Sequence, residues 1–366
     1  MNFNTKTSAS RPAWLLPTPA RRDEPIPDSS LRTTLLRLMR GENLQRGEAS
    51  RLLGALLDGE ATDAQIAAAL VALAVKGETV EELAGMAAAM RERSTRIASR
   101  HPTFIDTAGS GSSAAKTFNV STATAFVIAG AGLPVAKHGS RAATSRSGSA
   151  DVLTKLGVKV DAPAHISEDS LNEIGICFMF APLYHGATAR VAGVRRELGV
   201  HTTFNLLGPL TNPAGAPRQI IGVWHPALVE PLALTLAALG TERAWVVHGS
   251  DGLDEITLSG KTFVAETLDG NVRRFEITPE EFGLKSATLE NVRDNDADSS
   301  AAIIRSIFSG QRRDEARDLV VINAAAALVV GGLAQEFCAA TQLAEQSIDS
   351  GAAQLKLDEL VRATNR

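Results

Sequence analysis

"DTAGSGSSAAKTFNVSTATAFVIAGAGLPVAKHGSRAATSRSGSAD", Asp106 to Asp151, is dense in glycine, serine and threonine and carries no acid between its terminal aspartates. A P-loop anchored on Lys116-Thr117 would need glycine where Ala115 and Ser110 stand, so that reading fails. Gly109 to Ala114 does fit G-x-G-x-x-G/A after a short strand, but a dinucleotide fold also wants an acid about 20 residues on to hold a ribose hydroxyl. None occurs before Asp151. What remains is a loop with many backbone donors, followed by Lys116, Lys137, His138, Arg141 and Arg146. It suits a ligand with several phosphate charges; the alternative is an ordinary polar loop.

Working outward, the chain changes texture on either side of this stretch. From Ser29 to Ser94, leucines recur at three- and four-residue spacing, as in an amphipathic helical array. Gly59 and Gly77 mark stops, and Thr62 with Gln65 and Thr79 with Glu82 have capping-box spacing, which predicts about four short helices. After Arg100, short apolar runs alternate with helical stretches, the pattern of an α/β fold with a mostly parallel central sheet. Strands are expected at Phe104–Thr107, Pro134–Lys137, Gln219–Trp224 and Ala244–His248, and helices at Ser121–Ala131 and Leu228–Leu239. Asp269-Gly270, inside the alternating segment Lys261–Ile277, predicts a type I′ hairpin. The expected organisation is a proline-rich, disordered tail over residues 1–28, a small helical unit over 29–100 that is open to completion by later helices, and a large α/β unit over 101–366.

Composition narrows the function classes. A hydrophobic content of 44% with 21% charged residues is that of a globular protein, and a formal charge of −4 argues against broad nucleic-acid binding. Two cysteines, Cys177 and Cys338, both among apolar neighbours in sequence, fit buried thiols in a reducing compartment, hence the cytoplasm. The longest apolar run, Leu319 to Ala334, is interrupted by Asn323 and is too short to span a bilayer, so it is expected to be a buried helix rather than a membrane anchor. The first 27 residues hold five of the fifteen prolines, too many for the amphipathic helix of a targeting peptide.

Three further stretches carry chemistry. "KHGSRAATSRSGSADVL", Lys137 to Leu153, places a cation and several hydroxyls just after a strand, where α/β folds bind ligands. "FAPLYHGATARVAGVRRELGVHTTFNLLGPLTNPA", Phe180 to Ala214, has Arg195-Arg196 on a short helix among residues that read as buried, and then an apolar loop, "FNLLGPLTNP". "HGSDGLDEITLSG", His248 to Gly260, sets Asp254 beside Glu255 in a glycine-rich loop, as a magnesium ion carried by a polyphosphate requires.

In order along the chain, "TFNVST" (Thr117–Thr122), "VAKHG" (Val135–Gly139), "SGSADVL" (Ser147–Leu153), "VRRELG" (Val194–Gly199), "FNLLGPLTNPA" (Phe204–Ala214) and "DGLDE" (Asp251–Glu255) closely resemble the anthranilate phosphoribosyltransferase family. The resemblance runs from about Leu31 to Leu360. It implies a helical N-terminal unit, an α/β body, a homodimer joined through the helical part, and magnesium-dependent transfer of phosphoribosyl from phosphoribosyl pyrophosphate (PRPP) to the amine of anthranilate. Residue by residue, it implies PRPP contacts from Gly109, Ser112, Ser113, Thr117, Asn119, Ser121, Thr122, Lys137, Ser145 and Ser149. Anthranilate contacts would come from Gly109, Ser140 and Arg195, and Mg2+ ligands from Ser121, Asp254 and Glu255. No dedicated base is implied, and His138 and His185 are expected to line or support the site.

The chain departs from the family pattern at two functional positions. Gly109–Ala114 reads GSGSSA where the family writes Gly-Thr-Gly-Gly-Asp-Gly, and Ser140 stands where the family has an asparagine that helps position anthranilate. Gly186 replaces a common proline. These changes keep open a paralogue with another aromatic-acid acceptor, or a non-catalytic nucleic-acid-binding member of the same fold. A nucleoside phosphorylase lacks the arrangement of Arg195 with Asp254-Glu255.

Overall fold

A computed structural model describes residues 29–110, 117–141, 147–292 and 296–366, and the expected proline-rich tail lies outside them. Four helices, α1 (Ser29–Met39), α2 (Arg46–Leu57), α3 (Asp63–Lys76) and α4 (Val80–Glu92), form the head. Both expected capping boxes close: Thr62 N–H donates to Gln65 Oε1 at 2.9 Å, and Thr79 N–H to Glu82 Oε2 at 2.8 Å. Glu82 does more than cap. It is fully buried, pairs with Lys76 at 2.8 Å and accepts the Leu44 N–H, so one carboxylate joins three segments of the head.

The body alternates β1 (Ile105–Gly109), α5 (Val120–Gly130), β2 (Val135–Gly139), α6 (Ser149–Leu156), α7 (Ala164–Ile174), β3 (Ile176–Phe180), α8 (Ala181–Tyr184), α9 (Ala189–Leu198), α10 (Thr203–Leu210), β4 (Arg218–Gly222), α11 (Val229–Ala238) and β5 (Arg243–Gly249). The antiparallel pair β6 (Thr262–Leu268) and β7 (Asn271–Ile277) follows, and then α12 (Ala297–Phe308), α13 (Glu315–Val330), α14 (Phe337–Asp349) and α15 (Ala352–Thr364). The strands form one sheet in the order β3-β2-β1-β4-β5-β6-β7, parallel through β5. Asp269 and Gly270 both have positive φ, as the type I′ hairpin requires.

The two larger of three buried clusters among the described residues clasp the sheet. On one face α5, α13, α14 and α15 bury a cluster with Val135, Trp245 and Val247. On the other, α11 carries the sheet onto the head, where Leu232 and Leu236 join Leu53, Leu70, Leu83 and Met86. Helices α9 and α10 belong to this second cluster through Val191, Val194, Phe204 and Leu207, so they bridge head and body. The apolar run is indeed α13, buried from Leu319 to Val330, and each fully buried Leu, Ile or Val on it contributes roughly 1.5–3 kcal/mol relative to exposure. Among the described residues no helix is long and apolar enough to cross a membrane.

The structure corrects the sequence reading at three places. "FNLLGPLTNP" is not a loop: Thr203–Leu210 is helix α10, with Pro209 tolerated in its last turn while Phe204, Leu206, Leu207 and Leu210 are buried. Ile176–Phe180, in none of the expected strands, is the edge strand β3, paired in parallel with β2. Cys338 is exposed, because its position on α14 points away from the core that its sequence neighbours suggested, whereas Cys177 is buried on β3.

Candidate active site

The strand order reverses at β1, with β2 on one side and β4 on the other, and such a switch point opens a crevice at the carboxyl ends of the strands. Gly109 ends β1 opposite Gly222 of β4, and Ser110 N–H donates to the Gly222 carbonyl at 2.8 Å. A Cβ at Gly222 would collide with the backbone carbonyl of Asp254, so this glycine lets the Asp254-Glu255 loop seat directly on the end of β4.

Helix α5 starts at the same edge. Its N-cap Asn119 makes no side-chain capping bond, and buried Asn119 Oδ1 and Thr122 Oγ1 have no partner among the described residues. A helix end with spare donors and orphaned buried oxygens is suited to an anionic, hydroxyl-bearing ligand. Ser121 lies in that first turn. Lys137, buried in the middle of β2, donates to the Thr107 carbonyl at 2.6 Å and to Ser121 Oγ at 3.3 Å. The Glu255 carboxyl lies close enough to Lys137 and to the Ser121 backbone for both to act on its charge. Burial, then the neighbouring Asp254, push the Glu255 carboxyl up to about 8, while Lys137 and the Ser121 N–H oppose the rise. Burial also lowers the Lys137 ammonium, against the pull of Asp106 and Glu255.

The ends of β2 and α6 complete this side. Gly139 leaves room for Ser149, whose hydroxyl an added Cβ would strike, and Ser149 Oγ lies 3.5 Å from the Ser140 carbonyl. Thr117 Oγ1 donates to the Phe118 carbonyl at 3.1 Å, just before α5. Ser112, Ser113 and Ser145 lie outside the described residues.

Arg195 sits apart from this cluster, on α9. Its guanidinium stands 5.1 Å from the Phe204 ring centroid, burial alone lowers its pKa, and no described carboxylate pairs with it. Arg190, one turn earlier on α9, is by contrast tied to Asp63 at 3.0 Å, and Arg196 is exposed. Thr203 Oγ1 donates to Glu78 at 2.5 Å, which links α10 to the head. The His138 and His185 rings lie 5.1 Å apart, tilted by 60°, with buried ring nitrogens; burial drives their pKa values down to about 3 and about 4, so both are neutral rings near pH 7. Ser140 is exposed at the mouth.

One functional feature escaped the sequence reading. Asp106 is fully buried, accepts His138 N–H at 3.2 Å and Asn212 Nδ2 at 2.7 Å, and burial raises it to about 6. Asn212 also donates to the Ala136 carbonyl at 2.8 Å, so the two residues brace the segment of β2 that presents Lys137. The only signal was an aspartate and an asparagine in apolar surroundings 106 residues apart.

Head and body match, separately, the helical bundle domain (residues 32–94) and the a/b domain (residues 101–354) of a glycosyl transferase family, so fold and site define a glycosyltransferase. The chain is 49% identical over 331 residues to the anthranilate phosphoribosyltransferase of Moorella thermoacetica, covering 90% of this chain and 97% of that one. Its fold matches the crystal structure of the Thermus thermophilus enzyme of the same name with a TM-score of 0.86 at 39% identity, over 93% of this chain and all of the other. The Saccharomyces cerevisiae enzyme in complex with PRPP and Mg matches at 0.84 and 27%, over 92% and 98%. The chain belongs to the anthranilate phosphoribosyltransferase family.

Proposed function

We infer that this chain transfers phosphoribosyl from PRPP to the amine of anthranilate, releasing pyrophosphate, and does so with Mg2+. The observation that carries the reading is the convergence of the open N-terminus of α5, Ser121, Lys137 and Glu255 where the sheet order reverses. Gly109, Thr117, Asn119, Ser121, Thr122, Lys137 and Ser149 are assigned to PRPP, with Ser112, Ser113 and Ser145 on the adjoining segments. Gly109, Ser140 and Arg195 are assigned to anthranilate.

The donor set fits magnesium. Ser121 Oγ and the carboxylates of Asp254 and Glu255 are hard oxygen donors, and a raised Glu255 marks a carboxylate that gains from a cation. Among the described residues no three His, Cys, Asp or Glu side chains converge, which suits an ion held partly by substrate phosphates. When bound, the ion offsets charge on the departing pyrophosphate.

The rest of the mechanism falls to the chain. As the bond from the anomeric carbon to pyrophosphate oxygen breaks and the bond to the arylamine nitrogen forms, Lys137 and the α5 amides stabilise the charge that gathers on the leaving group. Arg195 holds the anthranilate carboxylate in a bidentate grip and aligns the amine with the anomeric carbon. The amine loses its proton after attack, and its weak basicity removes the need for a strong base; neutral His138 and His185 serve as lining.

The helical head supports a homodimer: Met39 and Val75 are 49% and 84% exposed on α1 and α3, which pack side by side. Two free thiols and a small-molecule substrate pair suit a cytoplasmic enzyme. The decisive experiment follows the loss of anthranilate fluorescence on mixing with PRPP, with and without Mg2+. Magnesium-dependent consumption is the expected result; its absence in folded protein would overturn the assignment in favour of another aromatic acid.

A further inference from the structure

Asn323 interrupts the apolar run of α13, and nothing in the site described above uses it. It is 3% exposed, and its side chain is fully committed. Oδ1 accepts Ile256 N–H at 2.9 Å, while Nδ2 donates to the Ile256 carbonyl at 2.9 Å and to Leu319 O, one turn back on its own helix, at 2.8 Å. The amide therefore pairs with Ile256 at two points, as a neighbouring strand would. Ile256 is buried and directly follows Glu255.

The loop has other restraints, among them contacts within it and against the end of β4. Thr257 Oγ1 donates to Asp251 Oδ2 at 2.7 Å, Leu253 N–H donates to Asp251 Oδ1 at 3.2 Å, and Gly222 receives the Asp254 backbone. Asn323 differs because of what carries it. Helix α13 packs along α5, the helix whose first turn presents Ser121, within one continuous core. One helix thus supports both halves of the donor set.

We propose that Asn323 is a positioning residue for the metal-pyrophosphate site: gripping Ile256 from α13, it sets the separation between the Asp254-Glu255 pair and Ser121. Magnesium tolerates little deviation from octahedral geometry at about 2.0–2.1 Å, so a loop free to shift by about half an ångström would bind it less well. This inference rests on the functional reading above.

The test uses the full chain with Asn323→Ala, with Asn323→Ser as the milder variant should the first fail to fold, and with Leu328→Ala as a buried control on the same helix. Three quantities are measured: the Mg2+ concentration for half-maximal turnover, the anthranilate KM at saturating PRPP, and, independently of turnover, Mn2+ binding in the presence of PRPP from the electron paramagnetic resonance of free Mn2+. The Asn323 variants should weaken Mg2+ and Mn2+ dependence by about 10-fold, as loss of a ligand-supporting partner does, and leave the anthranilate KM within about 2-fold. Leu328→Ala should lower the melting temperature without moving the metal dependence. Wild-type metal dependence in the Asn323 variants, or an equal shift in Leu328→Ala, overturns the proposal. A wild-type protein that binds no Mn2+ with PRPP would instead overturn the functional reading beneath it.

Discussion

At the end proposed for PRPP, Lys137, Ser121 and Thr107 are joined by hydrogen bonds across two strands and a helix, with the Glu255 carboxyl held under the influence of Lys137, all inside the α/β body. At the end proposed for the acceptor, Arg195 has an aromatic face beneath it and no described carboxylate beside it, and it rides on helices shared by body and head. The contrast fits the two proposed tasks. Charge that develops on pyrophosphate is best met by donors already fixed in place, since reorganising them during reaction costs free energy. An aromatic acid that must enter and align is better met by an unpaired guanidinium, because a resident carboxylate would first have to be displaced.

The sharpest way to break this comparison is to remove the fixed carboxylates. Asp254→Ala with Glu255→Ala should lower magnesium-dependent turnover by roughly 10^3-fold or more while the fold persists, checked by steady-state rates beside circular dichroism. Surviving turnover with unchanged Mg2+ dependence would move the metal elsewhere.

At the other end, Arg195→Ala removes a charge-assisted bond worth about 1.5–3 kcal/mol, so the anthranilate KM should rise roughly 10- to 100-fold with the PRPP KM little changed. Equal effects on both substrates would erase the distinction between the ends.

The third prediction uses pH. Glu255 has its folded pKa raised above the unfolded one, so its contribution to stability is complete below about 4.5 and is lost as pH rises toward about 8. Asp106 has the same sign, but its loss is largely over above its value of about 6. The melting temperature of the ligand-free protein should therefore fall, on the order of a few °C, between about pH 7 and 8.5, and Glu255→Gln should flatten that slope. Affinity for Mg2+ with PRPP should rise over the same window, because the carboxylate is the ligating form. A slope that persists in Glu255→Gln would assign it to another group.

The smallest effect is expected at the mouth. Ser140 is exposed, and its backbone carbonyl is anchored by the Ala150 N–H at 3.2 Å, so Ser140→Asn should leave the fold intact and lower the anthranilate KM a few-fold, roughly 1 kcal/mol or less. No change would mean that Arg195 alone sets acceptor affinity.

How much of this was legible before the structure depends on the range of the interactions involved. The capping boxes at Thr62 and Thr79 and the Asp269-Gly270 hairpin could be read because each is settled within a few residues of backbone. Ile176–Phe180 is a continuous apolar run with no alternation, so local pattern could not tell strand from buried helix; pairing with β2 decided it. Gly208-Pro209 signalled a break, yet burial of Phe204, Leu207 and Leu210 against the head outweighed the local preference and made a helix.

From sequence alone came the α/β plan, the family motifs and the charged and hydroxyl side chains proposed for the site, because these depend on residue type and short spacing. Only the tertiary structure decided which of them meet: that Lys137 reaches Ser121 across strands, that Asp106 finds Asn212, and that Asn323 grips the loop after Glu255. The physical reason is that a buried polar group must find a partner wherever the fold delivers one, and that partner can lie a hundred residues away.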